Sequence, residues 1–314
     1  MPFPQIDLRR GRTRPLASRP NKVSTAHFGR RHPTVPRLDA FVEGLPRLLA
    51  ADALRGLVDA ICTARERGRP VVLAMGAHVL KTGLTPLLQE AVERRALTAF
   101  ALNSAGSIHD YELSLIGATS EDVAVALEDG SFGMWEETGA GLHRALREGV
   151  AAGLGYGEAV GRYILDHSPH PENSLLATCT REQVPATVHA AIGTDIIHMH
   201  PEMDGAVVGE ASFTDFKILC HVVSELEGGG VWINCGSSVI LPEVFLKAVS
   251  LCRNQGYPVA EIVTANLDMI RHYRPHENVL SRPTSRGGRS YQIVGHHEIL
   301  VPLLLEAVFA RLGK

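Results

Sequence analysis

The sequence predicts an α/β fold with a mostly parallel sheet and helices on both of its faces. Three observations predict it. Short apolar runs such as Val71-Val72-Leu73-Ala74-Met75 carry no polar break, as a strand covered on both faces requires. Segments with apolar residues at helical spacing separate those runs. The runs end in glycine and small polar residues, the mark of tight strand-to-helix connections.

Taken in order, residues 1–37 stand apart. Arg9, Arg10, Arg12, Arg14, Arg19, Lys22, Arg30, Arg31 and Arg37 face only Asp7, among several prolines. Such a segment cannot build its own core and reads as a basic extended arm, with 38–314 as a single α/β domain. Leu38–Leu49 and Ala51–Arg67 read as helices, the second with Leu54, Leu57, Val58 and Ile61 on one face. Val71–Met75 is a buried strand, and its loop Gly76–Gly83 leads to a helix with Thr85 at the N-cap and Pro86 at the first turn. Thr98–Leu102 is the next strand, running into a polar loop from Asn103 to Asp110. Short helices are expected at Glu112–Ile116 and at Ser120–Leu127, with Ser120 as N-cap.

Glu128–Glu137 reads as a loop, His143–Leu165 as mostly helix and His167–Ser174 as a loop. Ile196-Ile197 reads as a short strand leading to His198 and His200, and Asp204-Gly205 as a turn before the helix Phe213–Leu226. Val231–Asn234 is a core strand ending in Cys235-Gly236-Ser237-Ser238, with Pro242–Asn254 as the helix behind it. A strand at Glu261–Ala265, a polar loop from Arg271 to Arg289, a strand at Ser290–Val294 and a helix at Ile299–Leu312 complete the pattern. No internal repeat is present.

The 314 residues can bury a sizeable core, and 45% hydrophobic with 21% charged residues is an ordinary globular composition. A net charge of −3 gives no reason to expect nucleic acid as a partner. The longest uncharged run, Gly228–Pro242, is too short to span a bilayer, and no apolar signal core opens the chain, so a cytoplasmic protein is expected. The five cysteines form no CxxC pair and read as buried free thiols.

In an open parallel sheet, ligands bind at the carboxyl ends of the strands. Histidine is abundant there: His78, His109, His198, His200, His272, His276, His296 and His297. Imidazole titrates near neutrality and can serve as acid, base or metal ligand. Asp110 and Glu210 are candidate carboxylates for a cationic amine or for orienting a histidine. Structural roles, as satisfied polar residues and capping carboxylates, remain open for all of them. His198 and His200, with His296-His297, offer an alternative metal site, of zinc or iron type. No nucleotide fingerprint of the GxGxxG or Walker kind is present.

Met75–Gly83, Ser104-Ala105-Gly106, Asp204-Gly205, Gly236-Ser237-Ser238-Val239, Thr264-Ala265, Arg274-Pro275 and the ending HHEILVPLLLEAVFA fall in an order that resembles the deoxyhypusine synthase family, over roughly residues 40–312. The resemblance implies a Rossmann-like fold, NAD as cofactor and a homotetramer with sites between subunits. It further implies dinucleotide contacts at Gly76, His78, Thr82, Ser104, Ala105, Gly106, Asp204, Ser237, Thr264, Ala265 and His296. The family's paired acidic residues fall on His109 and Asp110, so one carboxylate remains. The stretch after Arg274-Pro275, His276–Pro283, holds neither the family's imine-forming lysine nor its tryptophan, and Lys81 is the nearby amine. The expectation is therefore an NAD-dependent enzyme acting on a polyamine-like amine or another small polar metabolite, not a true deoxyhypusine synthase. His109, Asp110, His297 and Glu210 are its catalytic candidates. The alternatives are a metal-dependent hydrolase or lyase and a non-catalytic ligand-binding homologue.

Overall fold

A computed structural model describes residues 37–313. All but Arg37 of the basic arm lies outside the described residues. The chain runs α1 (Leu38–Gly44), α2 (Leu49–Glu66), β1 (Val71–Met75), α3 (His78–Lys81), α4 (Thr85–Glu93), β2 (Ala99–Asn103) and α5 (Ser104–Ile116). It continues through α6 (Val123–Asp129), α7 (Glu136–Ala151), α8 (Tyr156–His167), α9 (Leu175–Arg181) and β3 (Ala186–His189). Then come α10 (Gly205–Ser224), β4 (Val231–Cys235), α11 (Ile240–Asn254), β5 (Val263–Asp268), α12 (Tyr273–Pro275), β6 (Arg289–Val294) and α13 (His297–Leu312).

The six strands form one parallel sheet in the order β3-β2-β1-β4-β5-β6. The chain starts at the centre, winds outward to β3, then crosses back to β4, so the strand order reverses between β1 and β4. Their register, Leu73 on Ile233 and Met75 on Cys235, brings both carboxyl ends level.

Alternation along each strand divides the core. Leu73, Met75, Phe100, Ile233 and Ala265 cluster with α2, α4, α7, α8 and α13 on one face. Val72, Ala74, Ala101 and Trp232 cluster with α10 and α11 on the other. Trp232 stacks on Phe245 of α11 with ring centroids 4.1 Å apart, two fully buried aromatics that fix the helix to the sheet. Near the carboxyl ends, Asn234 Nδ2 donates to Asn266 Oδ1 at 2.7 Å and Asn266 Nδ2 donates to Gln292 Oε1 at 3.2 Å. These amides tie β4, β5 and β6 together beside the loops that follow. No helix among the described residues is long and apolar enough to cross a membrane.

Five local expectations give way. Leu84, buried in the core, takes the cap position of α4, and Thr85 is the first helical residue with its hydroxyl unpartnered. Asn103–Asp110 is not a loop: Asn103 Oδ1 accepts from Gly106 N at 3.2 Å, so α5 begins directly at the strand end. Ser120 has φ +74°, and α6 is capped by Asp122, which accepts from Ala124 N and Val125 N. Ile196–Met199 is a 3₁₀ turn capped by Asp195, and the third strand is Ala186–His189 instead. Much of the long polar stretch is helical, because Val279 and Leu280 bury against α11 in a π-helical turn, His276–Ser281.

The crossing of β1 and β4 depends on one glycine. A Cβ at Gly76 would lie 2.2 Å from the Gly236 carbonyl oxygen, while Gly76 N donates to Cys235 O at 2.9 Å. Gly76→Ala is expected to lower unfolding free energy by about 3 kcal/mol, because backbone rather than a side chain must yield. Urea denaturation of the variant measures it; an unchanged midpoint would show that the two strand ends can part freely.

Candidate functional site

The carboxyl edge of the sheet carries two adjacent groups of polar side chains. The first lies at the strand-order reversal. Gly236, at φ +64°, sits against the ring of His297, where a Cβ would meet Cε1 at 2.8 Å. His297 is 1% exposed, and no side chain hydrogen-bonds its ring nitrogens. Asp268, ending β5, places Oδ1 4.0 Å from His297 Nε2, and the ring of His78 stands edge-on with its centroid at 5.5 Å. Burial lowers the His297 pKa and Asp268 opposes that shift, while His78 adds to it.

The second group surrounds a cavity of 340 Å³ beyond the ends of β1, β2 and β3. Lys81 at the end of α3, His109 and Glu112 on α5, Glu121 before α6 and Asp195 after β3 converge on it. Ile108, Phe132, Trp135, Ile196 and Met199 form its apolar walls.

Hydrogen bonds fix the chemistry of His109. Its Nδ1 lies 2.6 Å from Thr119 Oγ1, and that hydroxyl donates to Glu112 Oε2. The Thr119 hydroxyl has one proton, committed to Glu112, so it accepts from His109 Nδ1–H. The tautomer follows: Nε2 keeps its lone pair. Thr138 donates to the other Glu112 oxygen at 3.1 Å and holds the carboxylate in place. Burial pushes the His109 pKa down to about 4, helped by Lys81 and opposed by Asp195, so the ring is neutral at pH 7.

Neutral donors hold the carboxylates. Asp195 accepts from the hydroxyls of Ser104 and Thr194, and Glu121 Oε1 accepts from Gly133 N at 2.9 Å. Glu121 Oε2 is buried with no partner at all. Among the described residues, no ion pair neutralises Glu112, Glu121 or Asp195. Three carboxylates around one lysine leave the cavity with an excess of negative charge, which a bound cation would offset.

The residues singled out from the sequence divide sharply. His109 lines the cavity, as does Ala105. Ser104 is buried and orients Asp195, and Gly106 closes the first turn of α5 against Leu102. Gly76, His78 and His297 meet at the strand reversal, with Ser237 just after it, its hydroxyl accepting from Leu241 N at 3.2 Å. His296 is exposed one residue before α13, with Glu298 3.8 Å away.

Others lie elsewhere. Asp110 is fully buried: it accepts from Ser174 Oγ, from Leu175 N at 2.7 Å and from Leu176 N at 3.1 Å, and so holds the start of α9. Burial raises its pKa to about 6 against the pull of those bonds. Glu210 is exposed on α10 and lines neither group. Asp204 caps α10 through Ala206 N and Val207 N, and Thr82 bonds back to the His78 and Val79 carbonyls. Thr264 and Ala265 lie inside β5, wholly buried, short of its carboxyl end.

His198 Nδ1 accepts from Gly193 N and Asp195 N, bracing the loop after β3, and His200 stacks on His143 at 6.3 Å. A 3₁₀ turn does not set alternate rings on one face as a strand would, and no group of three or more His, Cys, Asp or Glu among the described residues could hold a metal ion. Among the described residues, His198 and His200 are joined by no third ligand of the alternative metal site. Glu112, Thr119, Glu121 and Asp195 escaped sequence reasoning. The one available signal was the spacing of His109 and Glu112, three apart on what proved to be a helix.

No family model matches the chain, and no curated protein matches it by sequence. Solved structures do. The AgrE ternary complex with ornithine and NAD+ is 14% identical, with a TM-score of 0.51 over 88% of this chain and 33% of that one. A conserved candidate LOR/SDH protein from Methanococcus maripaludis S2 is 15% identical, with a TM-score of 0.50 over 89% of this chain and 71% of that one. A candidate deoxyhypusine synthase from Entamoeba histolytica, 8% identical, aligns over 86% of this chain and 92% of its own at a TM-score of 0.48. The chain spans about a third of the length of AgrE and of ArgZ, a cyanobacterial arginine dihydrolase that it also matches. At these identities the likeness is one of fold.

Asp110 gives this geometry a direct check. Asp110→Ala leaves two backbone N–H groups of α9 without partners and is expected to cost about 2–3 kcal/mol of stability. Equilibrium denaturation measures it, and wild-type stability would release Asp110 from the role of holding α9.

Proposed function

We propose that this chain is an NAD-dependent enzyme that oxidises a carbon bearing an amine, with His109 receiving the proton. The observation that carries the reading is the Glu112–Thr119–His109 chain, which presents a neutral, lone-pair-bearing nitrogen inside an acidic cavity. The relation of the fold to a protein crystallised with ornithine and NAD+ supports the same class of chemistry.

The strand reversal fits a dinucleotide. Gly76 and Gly236 let the two strand ends and the ring of His297 pack closely there, at the strand-order reversal where open parallel sheets bind ligands. Gly76, His78, Gly236 and Ser237 would hold it. When bound, NAD supplies the hydride acceptor. The acid that commonly ends β2 to take a ribose hydroxyl is Asn103 here, and its side chain caps α5.

The cavity residues then divide the work. Glu112, Glu121 and Asp195 draw in an ammonium group and place it within reach of His109. An amine must lose a proton before its lone pair can stabilise the carbon that gives up hydride. His109 Nε2 takes that proton, and Glu112, acting through Thr119, stabilises the imidazolium that forms. Ile108, Phe132 and Ile196 give the reacting carbon an apolar wall.

His109→Ala is expected to lower kcat roughly 10²–10⁴-fold with folding intact. Glu112→Gln falls between the variant and the wild type. His109 works when deprotonated, the form present above its pKa and lost as pH falls through about 4. The acid limb of kcat/KM therefore lies near pH 4, and the profile owes nothing to His109 between pH 5 and 8. Amine-dependent reduction of NAD, followed by absorbance, tests all three. Failure of NAD to bind in a calorimetric titration would remove the reading.

A further inference from the structure

A second cavity adjoins the acidic one. It has a volume of 590 Å³ and shares Glu112, Ser120, Glu121 and Trp135 with its neighbour as common walls. Beyond those walls it is lined by Leu115, Ile116, Ala118, Thr119, Thr138 and one further carboxylate, Glu137. Ile116 is 74% exposed and Trp135 47% exposed, large apolar side chains left in contact with water at the rim of a charged site. Contiguous exposed apolar surface beside a polar pocket marks a place where a ligand's own apolar body is buried. Val125 and Leu127, also exposed on α6, line neither cavity and take no part.

Resting on the amine reading, we propose that the substrate is an amphipathic amine: an ammonium head on Glu112, Glu121 and Asp195, joined to an alkyl or aryl body that fills the apolar cavity. Charge and shape agree on this pairing. Among the described residues, Lys81 is the one cation beside three carboxylates in the first cavity, and apolar side chains of the next stand open to water, with Glu112 and Glu121 facing both. A small polar metabolite would satisfy the first cavity and leave the second filled with water against Ile116 and Trp135.

The test is calorimetric titration of the full chain with straight-chain primary amines from butylamine to decylamine, with alkanoates of equal length as controls. Affinity is expected to tighten roughly two- to fourfold for each added methylene until the cavity is full. Alkanoates should not bind. In Ile116→Asn, butylamine should bind as in the wild type while the gain with length shrinks. Butylamine binding as tightly as octylamine would overturn the proposal and leave the amine reading standing. In that case, an oligomer of the chain would assign Ile116 and Trp135 to a subunit contact. An equal gain for alkanoates would overturn it as unselective adsorption. No amine binding at any length would overturn both.

Discussion

The site depends on the contact between the ends of β1 and β4. There the chain has wound outward once and returned, and two strands far apart in sequence pair side by side. Parallel pairing closes only if the backbone after β1 passes the backbone after β4 at less than the width of a side chain, which Gly76 allows. Because the strand order reverses here, the helices that follow the two strands lie on opposite faces. His297 at the start of α13, Asp268 at the end of β5 and His78 in α3 meet beside the same pairing.

The cavity next to it is an electrostatic problem that the described residues leave unsolved. Buried or half-buried carboxylates are ordinarily paired, or are neutralised by a raised pKa. Asp110 follows the second course, with three hydrogen bonds and a proton held to about pH 6, and it serves the fold. Asp215 does likewise: it accepts from Gly157 N and Val188 N, joins α8 to β3, and holds its proton to about pH 7. Glu112, Glu121 and Asp195 accept from neutral donors, which set the direction of each carboxylate. The same economy of protons fixes His109, since one threonine hydroxyl can donate only once.

What the sequence determined by itself was the architecture. Uninterrupted apolar runs and helical spacing act within a few residues, so β1, β2, β4, β5, β6 and most helices were legible, along with the carboxyl edge as the place for a ligand. Local competition decided the misses. Asn103, Asp122 and Asp195 outcompeted the expected caps and loops, and Ile196-Ile197 turned into a 3₁₀ helix as Asp195 offered the His198 N–H a partner. At the site, His109 and the glycine at position 76 could be picked out by type. Tertiary structure alone decided which polar residues were tools and which were fasteners: Asp110 and His109 are neighbours in sequence, yet a helical step of about 100° aims one at α9 and the other into the cavity. Glu121 and Asp195 lie 74 residues apart and acquire a shared purpose only when β3 and its loop fold against α5 and α6. Pattern in a sequence records the burial each residue needs. Convergence of charge is a property of distance in space, which only the folded chain supplies.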